Sequence, residues 1–289
     1  MANVDTTTAA NFISEMWAEA ILNYAEDKFQ IKNLVTDLSS MVANGGDILH
    51  IPRATEETAA TLTDGNAITY GRNTDPKTDL TINQHAYEAK RITDVVKVQE
   101  SAELFEIYTS TMGYAIAKNI ETYLAQTIIQ SASANDTALG TDNILSAAKL
   151  RAGIQKLLDI NVDYTDGNTF LYASPAAYMN LLATSNFADY DKSGLANSPN
   201  VTGQILNVYG MPTFSSTLWD DDGGTGDETA SIFTRGSVLF GMQIAPRIQS
   251  NYDMDYLATR VVVDVLYGAV LTQGAASPAG QIVNFTNPA

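Results

Sequence analysis

Residues 78–132 read TDLTINQHAYEAKRITDVVKVQESAELFEIYTSTMGYAIAKNIETYLAQTIIQSA. The first part, Thr78–Val98, has neither Gly nor Pro and no helical apolar stripe. Leu80, Ile82 and Ala86 alternate with Thr81, Asn83, His85 and Tyr87, which is strand period. At about 3.3 Å per residue, some 17 such residues would reach about 55 Å. That is long for a strand inside a globular domain. A strand so long and polar is expected to project from its subunit and to need a partner to lie on. The second part, Glu100–Ala132, is the best helix in the chain. Leu104, Ile107, Tyr108, Met112, Ala115, Ile116, Ile120, Tyr123, Leu124 and Ile128 recur at three- and four-residue steps. About 30 residues at 1.5 Å each make a rod roughly 45 Å long. Glu100, Glu103 and Glu106 suit the positive end of its dipole.

Upstream, Asn44-Gly45-Gly46 is a turn, and Ile48–Arg53 reads as a strand in which Pro52 suits an edge. Ala54–Lys77 is polar and carries Asp64-Gly65-Asn66, Tyr70-Gly71 and Asp75-Pro76. It reads as the tip of a hairpin with legs Asp47–Arg53 and Thr78–Val98. Met1–Ala10 is a polar arm, Asn11–Glu26 a helix, and Ile31–Met41 a short apolar segment. Downstream, Ser131–Gly140 is a small-residue linker and Asn143–Ile160 a helix. Thr169–Ala173 is a short buried strand, and Ser174-Pro175 opens another helix, with Ser174 as N-cap. Asn186–Asn200 reads as a loop, and Ile205–Leu218 as strands around the turn Tyr209-Gly210-Met211-Pro212. After the Gly- and Asp-rich Asp220–Thr229 loop come strands at Ser231–Thr234, Val238–Ile244, Arg247–Tyr252 and Ala258–Leu266.

Composition limits the function. The chain has 289 residues, 45% of them hydrophobic, with 33 acids against 16 bases and a net charge of −17. Such a chain is a poor candidate for gripping phosphates, since that needs Lys and Arg, and negligible affinity for duplex DNA is expected. Without Cys there is no disulfide, thiolate metal site or Cys nucleophile. The first basic residue is Lys28, so no secretory n-region is expected. The most apolar run, Val261–Leu271, is broken by Asp264 and too short for a membrane helix. A chain made and kept in a cytoplasm, or in something assembled there, is the reading.

Catalytic, cofactor-binding and metal residues are not expected. The two histidines, His50 and His85, lie on the two hairpin legs and read as a cross-strand pair or an exposed polar face. Asp220-Asp221-Asp222-Gly223-Gly224 with Asp227-Glu228 could hold a hard cation but lacks EF-hand spacing, and reads as a solvated loop. Trp17 and Trp219 read as core or interface residues rather than base-stacking platforms. No GxSxG elbow, P-loop or GxGxxG between strand and helix occurs.

This order of elements resembles the major capsid protein of tailed bacteriophages, with the mixed α/β (α+β) Hong Kong 97-type fold. Gly46-Asp47-Ile48-Leu49-His50-Ile51-Pro52 looks like the start of that family's extended E-loop, and Leu80-Thr81-Ile82 through Ile92-Thr93-Asp94 like its return. Leu171-Tyr172-Ala173-Ser174-Pro175, with Leu181 downstream, is similar to the strand and helix of its axial domain. Val208-Tyr209-Gly210-Met211-Pro212 with Ser215-Ser216 resembles its next hairpin, and Val265-Leu266-Tyr267-Gly268-Ala269 its closing strand.

The resemblance implies an arm and helix over 1–46, an E-loop hairpin over 47–98, a peripheral domain over 99–140 and 230–289, and an axial domain over 141–229. It implies a structural protein rather than an enzyme. The subunit would self-assemble into hexamers and pentamers of an icosahedral shell around double-stranded phage DNA, without tight binding to it and without a membrane. The virion would be its location and the host cytoplasm its place of assembly. Because the E-loop-like segment starts about 47 residues in, there is no room for the long scaffolding segment of many members, which implies a separate scaffolding protein. A portal and a decoration protein are further implied partners. Some members join the E-loop to a neighbour by a Lys–Asn bond; Lys77 is the candidate donor here, and no crosslink is expected. The alternatives are an encapsulin-like nanocompartment shell of the same fold, an acidic metal-dependent or carbohydrate-active hydrolase, and a tail or fibre protein.

Overall fold

The structure, a computed structural model, describes residues 30–43, 45–53, 57, 59–64, 67–68, 70, 76–94, 102–140, 144–184, 205, 207–219, 229–273 and 280–286, with backbone alone for 102–109. The predicted arm, the 11–26 helix, most of the hairpin tip, the 186–200 loop and the acidic 220–228 loop lie outside the described residues. The chain begins with a helical turn α1 (Ile31–Leu34), strand β1 (Thr36–Asp37), a second turn α2 (Ser39–Val42), β2 (Ile48–Pro52), β3 (Lys77–Thr81) and β4 (Gln84–Thr93). The long helix α3 (Ala102–Thr122) continues into a π-helical segment (Tyr123–Ile129). There follow β5 (Thr137–Ala138), α4 (Ala147–Asp159), β6 (Thr169–Ala173), α5 (Pro175–Ala183), β7 (Asn207–Val208) and β8 (Met211–Ser215). The chain closes with β9 (Ala230–Thr234), β10 (Val238–Asp253), β11 (Ala258–Leu271) and β12 (Ile282–Thr286).

Three sheets organise the described residues. One runs β1-β10-β11-β4, a second β5-β12-β9-β6-β8-β7, and a third is the pair β2-β3. The 16-residue β10 and 14-residue β11 form a long antiparallel ribbon. The two strands read separately at Val238–Ile244 and Arg247–Tyr252 are thus one, bent by register shifts between Met242 and Arg247, beside Pro246.

The long predicted helix is present, and its buried set has a period of its own. Met112, Ile116, Ile120, Leu124 and Ile128 are buried at successive fourth positions. Four residues overshoot a 3.6-residue turn by about 40°, so a straight α-helix would carry this stripe off the sheet. The wider π turn takes back part of that drift, with the Gln130 amide donating five residues back to the Ala125 carbonyl at 2.9 Å. The expected stripe is corrected at Ala115, which is exposed, while Ala117 is buried in its place. The helix packs on Val261, Val263, Val265 and Tyr267 of β11. A second core joins α4 and α5 to the six-stranded sheet through Leu150, Ile154, Leu157, Leu171, Leu181, Ile232 and Phe285.

Several local readings match. Ser174 caps α5 by accepting from the Ala177 amide at 3.3 Å, with Pro175 in the first turn. The turn before β8 has Tyr209 at φ 51 and Gly210 at φ 90, the left-handed pair that a two-residue hairpin needs. The helix read from Asn143 begins only at Ala147, capped by Ser146. The linker Ser131–Gly140 is a correction. It buries Asn135, Thr137 and Leu139, and it contributes β5, which pairs in parallel with β12.

Within that segment Asp136 has a buried Oδ1 without a hydrogen-bond partner. Burial pushes its carboxyl up from 3.8 to about 6, against the opposing pull of Lys156. A raised carboxyl pKa means that the folded state holds its proton longer than the unfolded one, so stability falls as pH rises from about 4 through 6. Asp136→Asn is therefore expected to melt higher than the parent at pH 7.5, with the gain vanishing toward pH 4. Thermal melts across that range check it; a constant difference at all pH values would contradict it.

Candidate functional site

The hairpin root is built as a ledge on the long ribbon. Ile48–Pro52 pairs with Thr81–Lys77 in antiparallel register, as expected for two hairpin legs. Leu49, Ile51, Thr78 and Leu80 turn inward, while Ile48, His50, Pro52, Lys77, Asp79 and Thr81 turn outward. The inward set packs with Val42 and Ile82 against Leu266 and Val270. The expectation of one unbroken returning leg is corrected here. The chain leaves β3 at Thr81, crosses β11 at Ile82–Asn83, and continues as β4 paired along β11. Only the first stretch can project, and residues 84–93 lie in the four-stranded sheet.

Two glycines make the crossing possible. Gly241 and Gly268 face each other across the ribbon. A Cβ on Gly268 would lie 2.1 Å from the Thr81 carbonyl oxygen and 3.0 Å from Ile82 Cα. The root is further tied down by Thr78 Oγ1 donating to the Thr272 carbonyl at 2.8 Å and Arg53 donating to the same oxygen at 3.1 Å. The Ile82 amide donates to the Asp47 carbonyl at 2.9 Å. Beyond the root the described side chains have little to bury against: Leu62, Ile68 and Tyr70 are 57%, 65% and 91% exposed.

The residues singled out in the sequence are spread apart. His50 Nδ1 sits 2.6 Å from Asp79, which also pairs with Lys77 at 3.2 Å, on the outward face of the hairpin. The His50 hydrogen bond chiefly holds the Asp79 carboxyl below its usual range. His85 is 3.2 Å from Asp264 on the sheet, so the two histidines pair with different aspartates and not with each other. Trp219 is a core residue, stacked on Tyr172 with its indole donating to Ser231 Oγ at 2.9 Å. Trp17 and the Asp220–Glu228 run lie outside the described residues. Among the described residues no group of three or more His, Asp or Glu is placed to hold a metal ion. No described helix is long and apolar enough to cross a membrane.

What the sequence reading missed is the outer half of the ribbon. Arg247 grips Asp264 through Nε and Nη2 at 2.9 Å each. Arg260 does the same to Asp253, with Nε at 2.7 Å. These arginines hold both carboxyls below the usual carboxylate range. Period-two alternation with Arg at 247 and 260 and Asp at 253 and 264 could have suggested it, once the register was known.

The sequence profile of the phage capsid protein family matches residues 89–283, about two thirds of the chain. The chain belongs to the phage capsid protein family. No curated protein matches the sequence. Solved structures match the capsid protein over most of its length. A chain of Mycobacterium phage Che8 superposes with a TM-score of 0.71 at 23% identity, over 89% of this chain and 90% of that one. The capsid of cyanophage P-SCSP1u gives 0.72 at 13% identity, covering 90% and 88%. The mature capsid of bacteriophage PhiM1 gives 0.70 at 14%, covering 89% and 86%. At such identities the likeness lies in the fold, which is the Hong Kong 97-type. The protein is a major capsid protein of the virion and self-assembles into an icosahedral shell. Its family makes it a structural component.

Proposed function

We propose that this capsid protein builds the shell from hexamers and pentamers in the host cytoplasm, and that each subunit's hairpin clamps a neighbour. The shell encloses double-stranded DNA by containment, since a subunit at −17 has little to neutralise phosphates with. A separate scaffolding protein, a portal and a decoration protein complete the assembly. The working division is an arm over 1–46, the hairpin over 47–98 with its returning end at 84–93 held in the four-stranded sheet, a peripheral region over 99–140 and 230–289, and an axial region over 141–229. The last two share a sheet, because β9 and β12 pair with each other and β9 pairs with β6. No crosslink through Lys77 is expected, as its amine is engaged by Asp79.

The observation that carries the clamp is the contrast between root and tip. The root is buried on a glycine floor and held by hydrogen bonds from Thr78, Arg53 and the Ile82 amide, whereas Leu62, Ile68 and Tyr70 stand in solvent. A polar segment that buries so little cannot offset its own ordering entropy within one subunit. Replacing Glu56–Thr74 by a short Gly-Ser turn should leave the melting of the unassembled subunit nearly unchanged. Shell yield, read by light scattering and negative-stain microscopy, should collapse. Regular, stable shells from the variant would refute the clamp.

A further inference from the structure

The hairpin leaves the body of the subunit at the end of β11. Its last rung, Pro52–Lys77, is followed by the Arg53 amide donating to the Pro76 carbonyl at 2.8 Å. At that level both legs are tied to one atom, the carbonyl oxygen of Thr272, the residue that follows β11. Arg53 reaches it from the outgoing leg through Nη1 at 3.1 Å. Thr78 reaches it from the returning leg through Oγ1 at 2.8 Å. The same Arg53 nitrogen also donates to Gln273 Oε1. One guanidinium nitrogen therefore spans two successive residues of the body.

Thr272 is itself held still. Its amide donates to the Ser237 carbonyl at 2.9 Å and its hydroxyl to the Gly236 carbonyl at 2.7 Å. Those carbonyls belong to the turn Arg235–Ser237 between β9 and β10, which is pinned in its own right. The Arg235 amide donates to the Asn168 carbonyl at 2.9 Å, and Thr36 Oγ1 to the Arg235 carbonyl at 3.1 Å. Ser237 Oγ donates to the Thr234 carbonyl at 2.7 Å. Asn168 stands just before β6 and Thr36 in β1, so a chain of hydrogen bonds runs from both large sheets to the mouth of the hairpin. Packing alone does not fix this corner. A hollow lined by Gly236, Ser237, Leu271, Thr272 and Gln273 borders it, and a Cβ on Gly236 would meet nothing nearer than Gln281 Oε1 at 3.8 Å.

We propose that Arg53 is the positioning residue that sets the angle at which the hairpin leaves the subunit, by bracing the outgoing leg on Thr272 and Gln273. The inference rests on the hairpin acting as a clamp. Thr78 alone would give the end of the root a single point of attachment, about which it can pivot; Arg53 adds a second and a third. The angle matters through leverage. Residues 54–76 can reach at most about 40 Å from the root and return, so a tilt of about 10° there moves the far end by about 7 Å. That exceeds the spacing of neighbouring strands, about 4.8 Å. Arg suits the position because its guanidinium is planar and carries its donors in fixed directions, whereas a Lys ammonium swings on a flexible stem.

The test reads the angle and the assembly separately. The chain has no Cys, so Leu62→Cys with Met254→Cys places just two spin labels, on exposed positions of the hairpin and of the ribbon end. Pulsed electron resonance on the free subunit gives the distribution of distances between them. Arg53→Met keeps the stem and removes the donors; it is expected to widen that distribution by about 5 Å or more. The free subunit should still melt within about 3 °C of the parent. Without labels, Arg53→Met is expected to lower the yield of regular shells about tenfold, and Arg53→Lys, which keeps a donor, to recover most of both readouts. If Arg53→Met melts low, Gln273→Met removes one acceptor and leaves the Thr272 carbonyl in place; a smaller widening and about threefold fewer shells are then expected. An unchanged distribution in both variants, regular shells in normal yield from Arg53→Met, or no recovery with Arg53→Lys overturns the proposal. Collapse of assembly on hairpin replacement, together with an unchanged distribution, leaves the clamp standing without this brace. Unchanged assembly on hairpin replacement removes the clamp itself.

Discussion

Replacing Gly268 with alanine is expected to unseat the hairpin root and to destabilise the capsid protein markedly. The new methyl carbon would lie 2.1 Å from the Thr81 carbonyl oxygen, with Thr81 C and Ile82 Cα at 3.0 Å. All three are backbone atoms, so no side-chain rotation relieves the clash. The main chain at Thr81–Ile82 must lift off β11, which separates Leu80 and Ile82 from Leu266 and Val270. Overpacking of this kind costs about 1–3 kcal/mol or more. A cost at the upper end lowers the melting temperature by roughly 6–12 °C in a chain of this size. Gly241 is the control, since it faces Gly268 across the ribbon. A Cβ there meets only the ends of side chains, Leu80 Cδ2 at 3.1 Å and Val42 Cγ2 at 3.3 Å, which can give way. Gly241→Ala should therefore cost about 1 kcal/mol or less. Protease sensitivity at the root, with melting of the free subunit, checks both. Equal behaviour of the two variants would show that the root does not depend on backbone contact with Gly268.

This glycine also marks what the sequence could and could not reveal. Val265–Ala269 was readable as a strand from its β-branched and aromatic residues, but the reason for a glycine there lies in Thr81, nearly two hundred residues away. The same holds for the break at Ile82–Asn83. Alternation runs through it without interruption, because Leu80, Ile82 and Ala86 all turn inward, two of them against the root and the third against the helix-bearing side. Periodicity reports which face a residue shows, not which sheet it joins. Local chemistry was legible where it was local: Ser174 as a cap, Tyr209-Gly210 as a turn, and the rod from its repeating apolar residues. The Arg247–Asp264 and Arg260–Asp253 pairs were not legible, because they exist only through the register of β10 and β11. Short strands such as β5 and β12 leave too few residues for a period, and Ser131–Gly140 looked like a linker because its residues are small.

Asn284→Asp is expected to be strongly destabilising, and to become more so as pH rises. Asn284 is 2% exposed on β12. Its amide nitrogen donates to the carbonyls of Ile129 at 3.0 Å, Gln130 at 3.3 Å and Ala132 at 2.6 Å. The last carbonyls of a helix have no partner within it. Asn284 therefore caps the π-helical end of the long helix from across the fold and locks the end of that rod to the six-stranded sheet. Three acceptors around one group also fix the orientation of the amide, nitrogen toward the helix. An aspartate in that place has one proton to donate below its pKa and none above it. Burial against carbonyl oxygens disfavours the ionised form, so its folded pKa must rise above the unfolded value of about 3.9. Below about pH 4 the variant loses part of the hydrogen bonding, about 1–3 kcal/mol. Above it, each pH unit up to the folded pKa removes about a further 1.4 kcal/mol. Melting curves of the free subunit should show the deficit of Asn284→Asp widening between pH 4 and 7. Asn284→Leu, which lacks a titrating group, should show a deficit that does not change with pH. A pH-independent deficit for the aspartate variant, or a melting temperature equal to that of the parent, would mean that the helix end is held by something other than this amide.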